Sequence, residues 1–379
     1  MADGQNFTDI REGHLLDIEN LTAYLNKELP GFKGPVEVKQ FGFGQSNPTY
    51  LLEDQGTRKQ YVLRKKPKGK LIKGAHAVER EYRVIKALNS TNVPTPKVYV
   101  LCEDSSVVGT PFYVMEFCKG RIYTDGTLKD VNISDRKLYY QAAAETLSRL
   151  HKVDFRAVGL EGFGKAGGYY SRQLQTLQKV SKLQAEKAPP IPNLESMVQF
   201  LNANQPVDLI TIVHGDYKLD NLVFHPTEPR VIAILDWEMS TIGNPLADLG
   251  NFTGQMYGSI GEASPLKGAS KAKLAELGIP NEDHFVEMYY NLMGEDRLKA
   301  RFPDPWYTYH KTFYFFKVTV ILQGIAMRVA KGVASSGSAA AFSKMLPMLA
   351  AYSWSWCKQL QKTLADNNLL KKALGDSKL

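Results

Sequence analysis

Apolar residues at Leu15, Leu16, Ile18, Leu21, Leu25 and Leu29 repeat at helical spacing, which predicts a helix over residues 15–29. The pattern then shortens. Residues 36–41, 49–52 and 60–64 read as strands, the first running into Gly42. Residues 77–88 return to helical spacing, Pro94-Thr95-Pro96 breaks the chain, and residues 98–101 and 111–117 read as two more strands. Beyond Phe117 long helices dominate, expected over 137–151, 194–201, 285–292, 309–332 and 344–367. Among them lies a strand pair, 209–213 and 221–236, that carries the densest polar constellation of the chain.

This order predicts an α+β chain with two lobes. Residues 1–117 form a β-rich N-terminal lobe, a short hinge follows near residues 116–120, and residues 118–379 form a mostly helical C-terminal lobe. The 379 residues are enough for two packed cores. The most apolar stretch, 312–330, is interrupted by Lys317, Gln323, Gly324 and Arg328, so a buried helix is expected there and no membrane span.

Composition changes the picture in three places. The formal charge of +8 suggests an anionic partner, but the basic residues are scattered among acidic ones, so nucleic acid is not expected. Cys102, Cys118 and Cys357 have neither disulfide nor metal-ligand spacing and fit a reducing compartment. The polar first residues have no apolar core, so no signal peptide is expected, while Ser377-Lys378-Leu379 matches the tripeptide read by the peroxisomal import receptor. Peroxisomal location is therefore the expectation, with the cytoplasm as the alternative.

The strongest chemical signal is Val213-His214-Gly215-Asp216-Tyr217-Lys218-Leu219-Asp220-Asn221, a carboxylate followed five positions later by an amide. Fifteen residues on, a buried-looking strand ends at Asp236 in Leu235-Asp236-Trp237-Glu238, and a hairpin would return Asp236 close to Asn221. Phosphoryl transfer needs such a set: one carboxylate to take a hydrogen bond from an attacking hydroxyl, and hard oxygen ligands for Mg²⁺. Asp216, Asn221 and Asp236 as ordinary turn residues is the plainer alternative.

These motifs resemble the aminoglycoside phosphotransferase and choline kinase superfamily, and within it the kinase-like domains that accompany acyl-CoA dehydrogenases. Ser46-Asn47-Pro48-Thr49, the run from Tyr61 to Pro67, Val223-Phe224-His225-Pro226, Ser240-Thr241-Ile242-Gly243 and Asp248-Leu249 extend the likeness from about Ser46 to Leu249, and more faintly to Arg328. The resemblance implies a protein-kinase-like two-lobe fold that uses ATP and Mg²⁺, here as a free-standing relative of the dehydrogenase-linked domain. It makes Asp216 the catalytic base, has His214 brace the catalytic loop, and gives Asn221 and Asp236 to the metal. Lys218 lies where protein kinases place a lysine on the transferring phosphate. Gly42, Gly44, Ser46 and Asn47 occupy the place of a phosphate loop, with Asn47 standing where a third glycine is usual. Arg64 falls where kinases hold the α- and β-phosphates with lysine, and strand alternation puts Val62 beside it against the adenine and turns Lys65 away. Glu81 is the expected partner of Arg64, with Glu79 its near rival. Glu116, Phe117 and Cys118 form the adenine hinge, and Asp248 is structural.

The dehydrogenase-linked relatives imply a hydroxyacyl-CoA acceptor, whose phosphates could meet Arg172, Lys165, Arg328 or Lys331. Choline- or aminoglycoside-type kinases are the alternative. For choline an aromatic cage could draw on Tyr289, Tyr290, Trp306, Tyr307, Tyr309, Phe313 and Tyr314, although at these spacings most are core residues. A pseudokinase scaffold and a CoA- or lipid-binding carrier are the non-catalytic readings.

Overall fold

Alternating burial on short strands builds the first half of the chain, and long apolar helices build the last third. The computed structural model describes residues 7–11, 13–42, 47–67, 69, 76–259, 269–294, 305–333 and 339–374. In chain order come β1 (Phe7–Thr8), α1 (Ile18–Glu28), β2 (Val36–Phe41), β3 (Thr49–Asp54), β4 (Gln60–Lys65), α2 (Val78–Leu88), β5 (Val98–Cys102), α3 (Ser105–Val108), β6 (Phe112–Glu116) and α4 (Ile133–His151). Then follow α5 (Tyr169–Gln184), α6 (Leu194–Ala203), β7 (Thr211–Val213), β8 (Leu222–Phe224), β9 (Val231–Ile234) and β10 (Thr241–Gly243). The remainder is α7 (Leu246–Ser259), α8 (Lys271–Glu276), α9 (Glu282–Met293), α10 (Pro305–Ala330), α11 (Ala339–Ser343) and α12 (Leu346–Leu374). Single 3₁₀ turns at Leu219–Asn221 and Trp237–Met239 flank the β8–β9 pair.

By compactness the chain forms two units, one of residues 1–163 and 218–240, the other of residues 164–217 and 241–379. The change from strand to helix expected at 117/118 follows the end of β6. Compactness draws a different line, because α4 and the β8–β9 hairpin fall in the same unit as the sheet, α4 packing with β9.

The first unit holds a sheet in the order β1-β2-β3-β4-β6-β5, all neighbours antiparallel. One face is the core: Tyr50, Leu52, Tyr61, Leu63, Phe112 and Val114 pack with Leu21 and Leu25 of α1. The side chain of Asp17 caps α1, accepting from Asn20 N at 3.0 Å. Period-two alternation sends Val62 and Arg64 of β4 to the opposite face, beside their cross-strand partners Leu51, Met115, Thr49 and Tyr113. Lys65 turns the other way, is buried, and donates to Val108 O at 2.7 Å.

The second unit is helical around α10, which packs along α12, α7, α11 and α5. By length and composition α10 could cross a membrane, yet more than half of its most apolar window is buried against these neighbours. Tyr309, Phe313, Tyr314 and Phe316 sit in its core, and Tyr289, Tyr290 and Tyr307 are buried as well. The candidate cage is therefore mostly packing.

The expected strand pair divides. β8 and β9 do form the hairpin, but β7 pairs with β10, not with that hairpin. Thr241–Gly243, at three residues, is too short for a strand pattern to show in the sequence.

Candidate active site

In the first unit a single guanidinium gathers three carboxylates. Arg64 Nη2 lies 2.7 Å from Asp236 Oδ1 and 3.4 Å from Glu238 Oε2, and Nε lies 3.1 Å from Glu81 Oε2. The Nε contact is an ion pair without hydrogen-bond alignment. Glu81 also accepts from Asn47 Nδ2 at 2.8 Å and from the Tyr113 hydroxyl at 3.1 Å. Burial pushes the Glu81 carboxyl up to about 7, against the pull of Arg64. Burial disfavours the Arg64 charge, but Glu81 and Asp236 outweigh it and hold the guanidinium charged. Glu79 pairs instead with Lys66, at 2.7 Å.

The β8–β9 hairpin sets the second part. Leu235 N donates to Asn221 O at 2.8 Å, which brings the strand end carrying Asp236 alongside Asn221. Asp236 adopts φ +63°, the left-handed region that side chains other than glycine rarely enter. The buried Trp237 pins this turn through Nε1 to Ile234 O at 2.9 Å. Among the described residues no group of three His, Cys, Asp or Glu could hold a metal by itself. One carboxylate and one amide, beside an excess of carboxylate over guanidinium, form a hard-oxygen donor set that would suit Mg²⁺. The donor set fits that ion as a companion of ATP.

In the second unit the catalytic-loop candidates hang on Asp248. Its Oδ2 accepts from His214 N at 2.7 Å and its Oδ1 from Gly215 N at 2.8 Å, and the carboxylate is fully buried. Gly215 takes φ +86°, which a side chain would strain, and the chain turns there toward Asp216. Asp216 N donates to His214 Nδ1 at 3.2 Å, leaving the ring proton on Nε2. Asn251, also buried, donates to Tyr217 O at 3.3 Å and accepts from Lys317 Nζ at 3.0 Å.

The other candidates fare variously. Gly44 and Ser46 lie outside the described residues, as does Ser377-Lys378-Leu379. The carbonyl of Gly42 accepts from Arg11 Nη2 at 3.0 Å. Asn47 commits its amide to Glu81 and to His76, at 3.0 Å. Lys218 pairs with Asp220 at 3.3 Å. Glu116 closes the sheet with Lys97, its backbone N donating to Lys97 O at 2.7 Å. Phe117 faces Phe7 and Phe41, and burial pushes the Cys118 thiol up to about 12, too high for a nucleophile. Arg172 is tied to the carbonyls of Gly167 and Lys165.

Sequence reasoning assigned no task to Glu238, Tyr113, Asn251 or Lys317. Glu238 stood in the quoted motif without a role. The others act across elements, and only the lysine inside an apolar run left a trace.

A profile of the phosphotransferase enzyme family (APH) covers residues 37–282. The chain is 42% identical over 324 residues to mouse acyl-CoA dehydrogenase family member 10, covering 85% of this chain and 29% of that protein. It is 37% identical over 375 residues to chicken acyl-CoA dehydrogenase family member 11, covering 97% of this chain and 47% of the relative. The chain thus spans less than half the length of these relatives. A Ralstonia eutropha crystal structure, provisionally assigned as an aminoglycoside phosphotransferase, aligns with TM-score 0.78 and 39% identity, over 91% of this chain and 99% of the other.

Proposed function

We propose that this chain, which belongs to the phosphotransferase enzyme family, acts as a small-molecule phosphotransferase that uses ATP to phosphorylate a hydroxyl on an acyl-CoA. The observation that carries the ATP side is the cluster of Glu81, Asp236 and Glu238 on Arg64. A guanidinium held near the end of β4 by one buried carboxylate, Glu81, and two half-buried ones is pre-aimed to receive phosphate oxygens through its planar fork. Next to it Val62, Leu51 and Met115 offer an apolar floor to a flat ring. Asp236 and Asn221 would hold Mg²⁺, which offsets charge on the β- and γ-phosphates.

In this reading Asp216 accepts the hydrogen bond of the acceptor hydroxyl. The oxygen forms a bond to the γ-phosphorus, the bond to the β–γ bridging oxygen breaks, ADP leaves, and the proton passes through Asp216 to water. His214 and Asp248 position that carboxylate by fixing the backbone before it. The acyl-CoA acceptor is supported by the dehydrogenase relatives, whose names place them in acyl-CoA chemistry. A panel of hydroxyacyl-CoAs, choline and aminoglycosides incubated with Mg²⁺ and ATP tests it by product mass. A hydroxyacyl-CoA gaining one phosphoryl group is the expected result, and phosphorylation confined to choline or aminoglycosides would replace this acceptor with theirs.

A further inference from the structure

A lysine inside an apolar helix needs a reason. Lys317 sits on α10 with the buried Phe313, Tyr314, Phe316 and Val320 nearby in sequence, and only partial exposure reaches it. Its ammonium donates to Asn251 of α7, and Asn251 in turn holds the carbonyl of Tyr217, the residue after Asp216. The ammonium is therefore one side chain away from the catalytic loop. The close approach of α7 and α10 makes this possible: a Cβ on Gly254 would fall 2.3 Å from the Tyr314 ring. Among the described residues, the bond to Asn251 uses one of the three N–H groups of Lys317.

The charged groups around this ammonium within its unit are Asp216 of the loop and Asp248 of α7, with the Tyr314 ring 6.0 Å from Nζ. Burial pushes the Lys317 pKa below its ordinary value, and the two aspartates oppose that shift. Asp248 already spends both oxygens on backbone N–H groups. The positive charge is partly stripped of water, so its field is weakly screened toward anything that reaches Asp216.

We propose that Lys317 determines the charge of the acceptor: its ammonium favours a hydroxyl compound bearing an anionic or carbonyl oxygen and disfavours a cationic one. The inference rests on Asp216 being the acceptor-side carboxylate. With Asp216 alone, a cation would be welcome at the hydroxyl; with Lys317 beside the loop, it is not. A hydroxyacyl thioester or hydroxy acid satisfies the ammonium, whereas a quaternary or primary amine is repelled. A like charge beside the loop, partly offset by Asp216 and Asp248, is worth about tenfold in selectivity.

The test compares kcat/KM for a hydroxyacyl-CoA, the matching free hydroxy acid, a neutral diol and choline in the full-length parent, Lys317→Arg, Lys317→Gln and Lys317→Glu. The parent and Lys317→Arg should prefer the acids and the thioester over choline. Lys317→Gln should lose about tenfold or more of that preference, mainly through acceptor KM, and Lys317→Glu should reverse it. Should Lys317→Glu fail to fold, the Arg and Gln variants still decide the ratio. A preference unchanged in Lys317→Gln, or a parent that favours choline, overturns the proposal. Where the parent turns over none of the four, calorimetric binding with a non-hydrolysable ATP analogue reads the same ratio, and no charge preference there also overturns it. Full turnover by Asp216→Asn would instead strike the reading beneath it, and that result is separable because Lys317 is intact in that variant.

Discussion

The two units treat their carboxylates in opposite ways. Around Arg64, Glu81, Asp236 and Glu238 are gathered by side-chain ion pairs to one guanidinium, contacts that can be exchanged when new anions arrive. Around His214, Asp248 spends both oxygens on backbone N–H groups, contacts that fix where the main chain runs. An exchangeable network suits a ligand that brings its own phosphates and metal. A backbone-braced loop suits a reaction that needs one carboxylate held within a fraction of an ångström. The comparison implies that variants in the second unit should act through geometry and rate, and those in the first through ATP and metal affinity.

The largest effect should come from Asp216→Asn. The side chain keeps its size but loses the charge that, in the proposed mechanism, would orient and deprotonate the hydroxyl, a task felt mainly in the transition state. We expect kcat to fall about a thousandfold or more while ATP affinity, measured by calorimetry, stays near the parent. Next comes Asp248→Ala, which strands two backbone N–H groups, one buried and one half-buried, and should cost roughly 2–3 kcal/mol of stability. Thermal unfolding reads that loss directly. A parent-like Tm would mean that the loop is held by something else.

Asp236→Ala should weaken Mg²⁺ affinity by about tenfold or more and lower turnover with it, because in the proposed reading it removes the charged oxygen that, with Asn221, would hold the metal. Asn221→Ala should move the same way by less, since it deletes a neutral ligand. Superimposable Mg²⁺ titrations for both variants and the parent would dissolve the contrast between the two units.

Much of the first unit was legible because alternation is a local signal. β2 spans the residues its pattern predicts, and period two places Val62 and Arg64 on one face and Lys65 on the other. Spacing narrowed the partner of Arg64 to Glu81 or Glu79, and tertiary packing gives Glu79 to Lys66. The second unit was harder to read. α7 carries Gly250 and Gly254, poor helix formers, and it is helical because those glycines let α10 approach closely. α5 (Tyr169–Gln184) was missed because its polar residues blur the repeat, although Leu174 is buried. The roles of Asn251 and Lys317 exist only once α7 and α10 meet, and no periodicity in one dimension encodes a hydrogen bond between two helices.

Arg64→Lys is a milder break. Lysine keeps the charge but replaces a planar fork by a point, so it cannot face Glu81, Asp236 and an incoming phosphate together. KM for ATP should rise about tenfold with a smaller change in kcat. An unchanged KM would show that Arg64 serves the carboxylates and not the nucleotide.

The smallest effect is a pH dependence centred on Glu81. Burial raises its carboxyl to about 7 from the ordinary 4.5. The folded chain then binds a proton that the unfolded chain has already released, so stability is greatest below about 4.5 for this group and declines as pH climbs toward 7. Other carboxylates add their own slopes, and the difference between two proteins isolates this one. Glu81→Gln keeps an acceptor for Asn47 and Tyr113 but cannot titrate. The stability gap between parent and Glu81→Gln, measured by denaturant unfolding, should therefore shift in favour of the variant as pH rises from about 5 to 7 and level off above it. A gap that stays constant across that window would mean that Arg64, Asn47 and Tyr113 keep Glu81 ionised in the folded chain throughout. The cluster in the first unit would then be as fixed as the loop in the second.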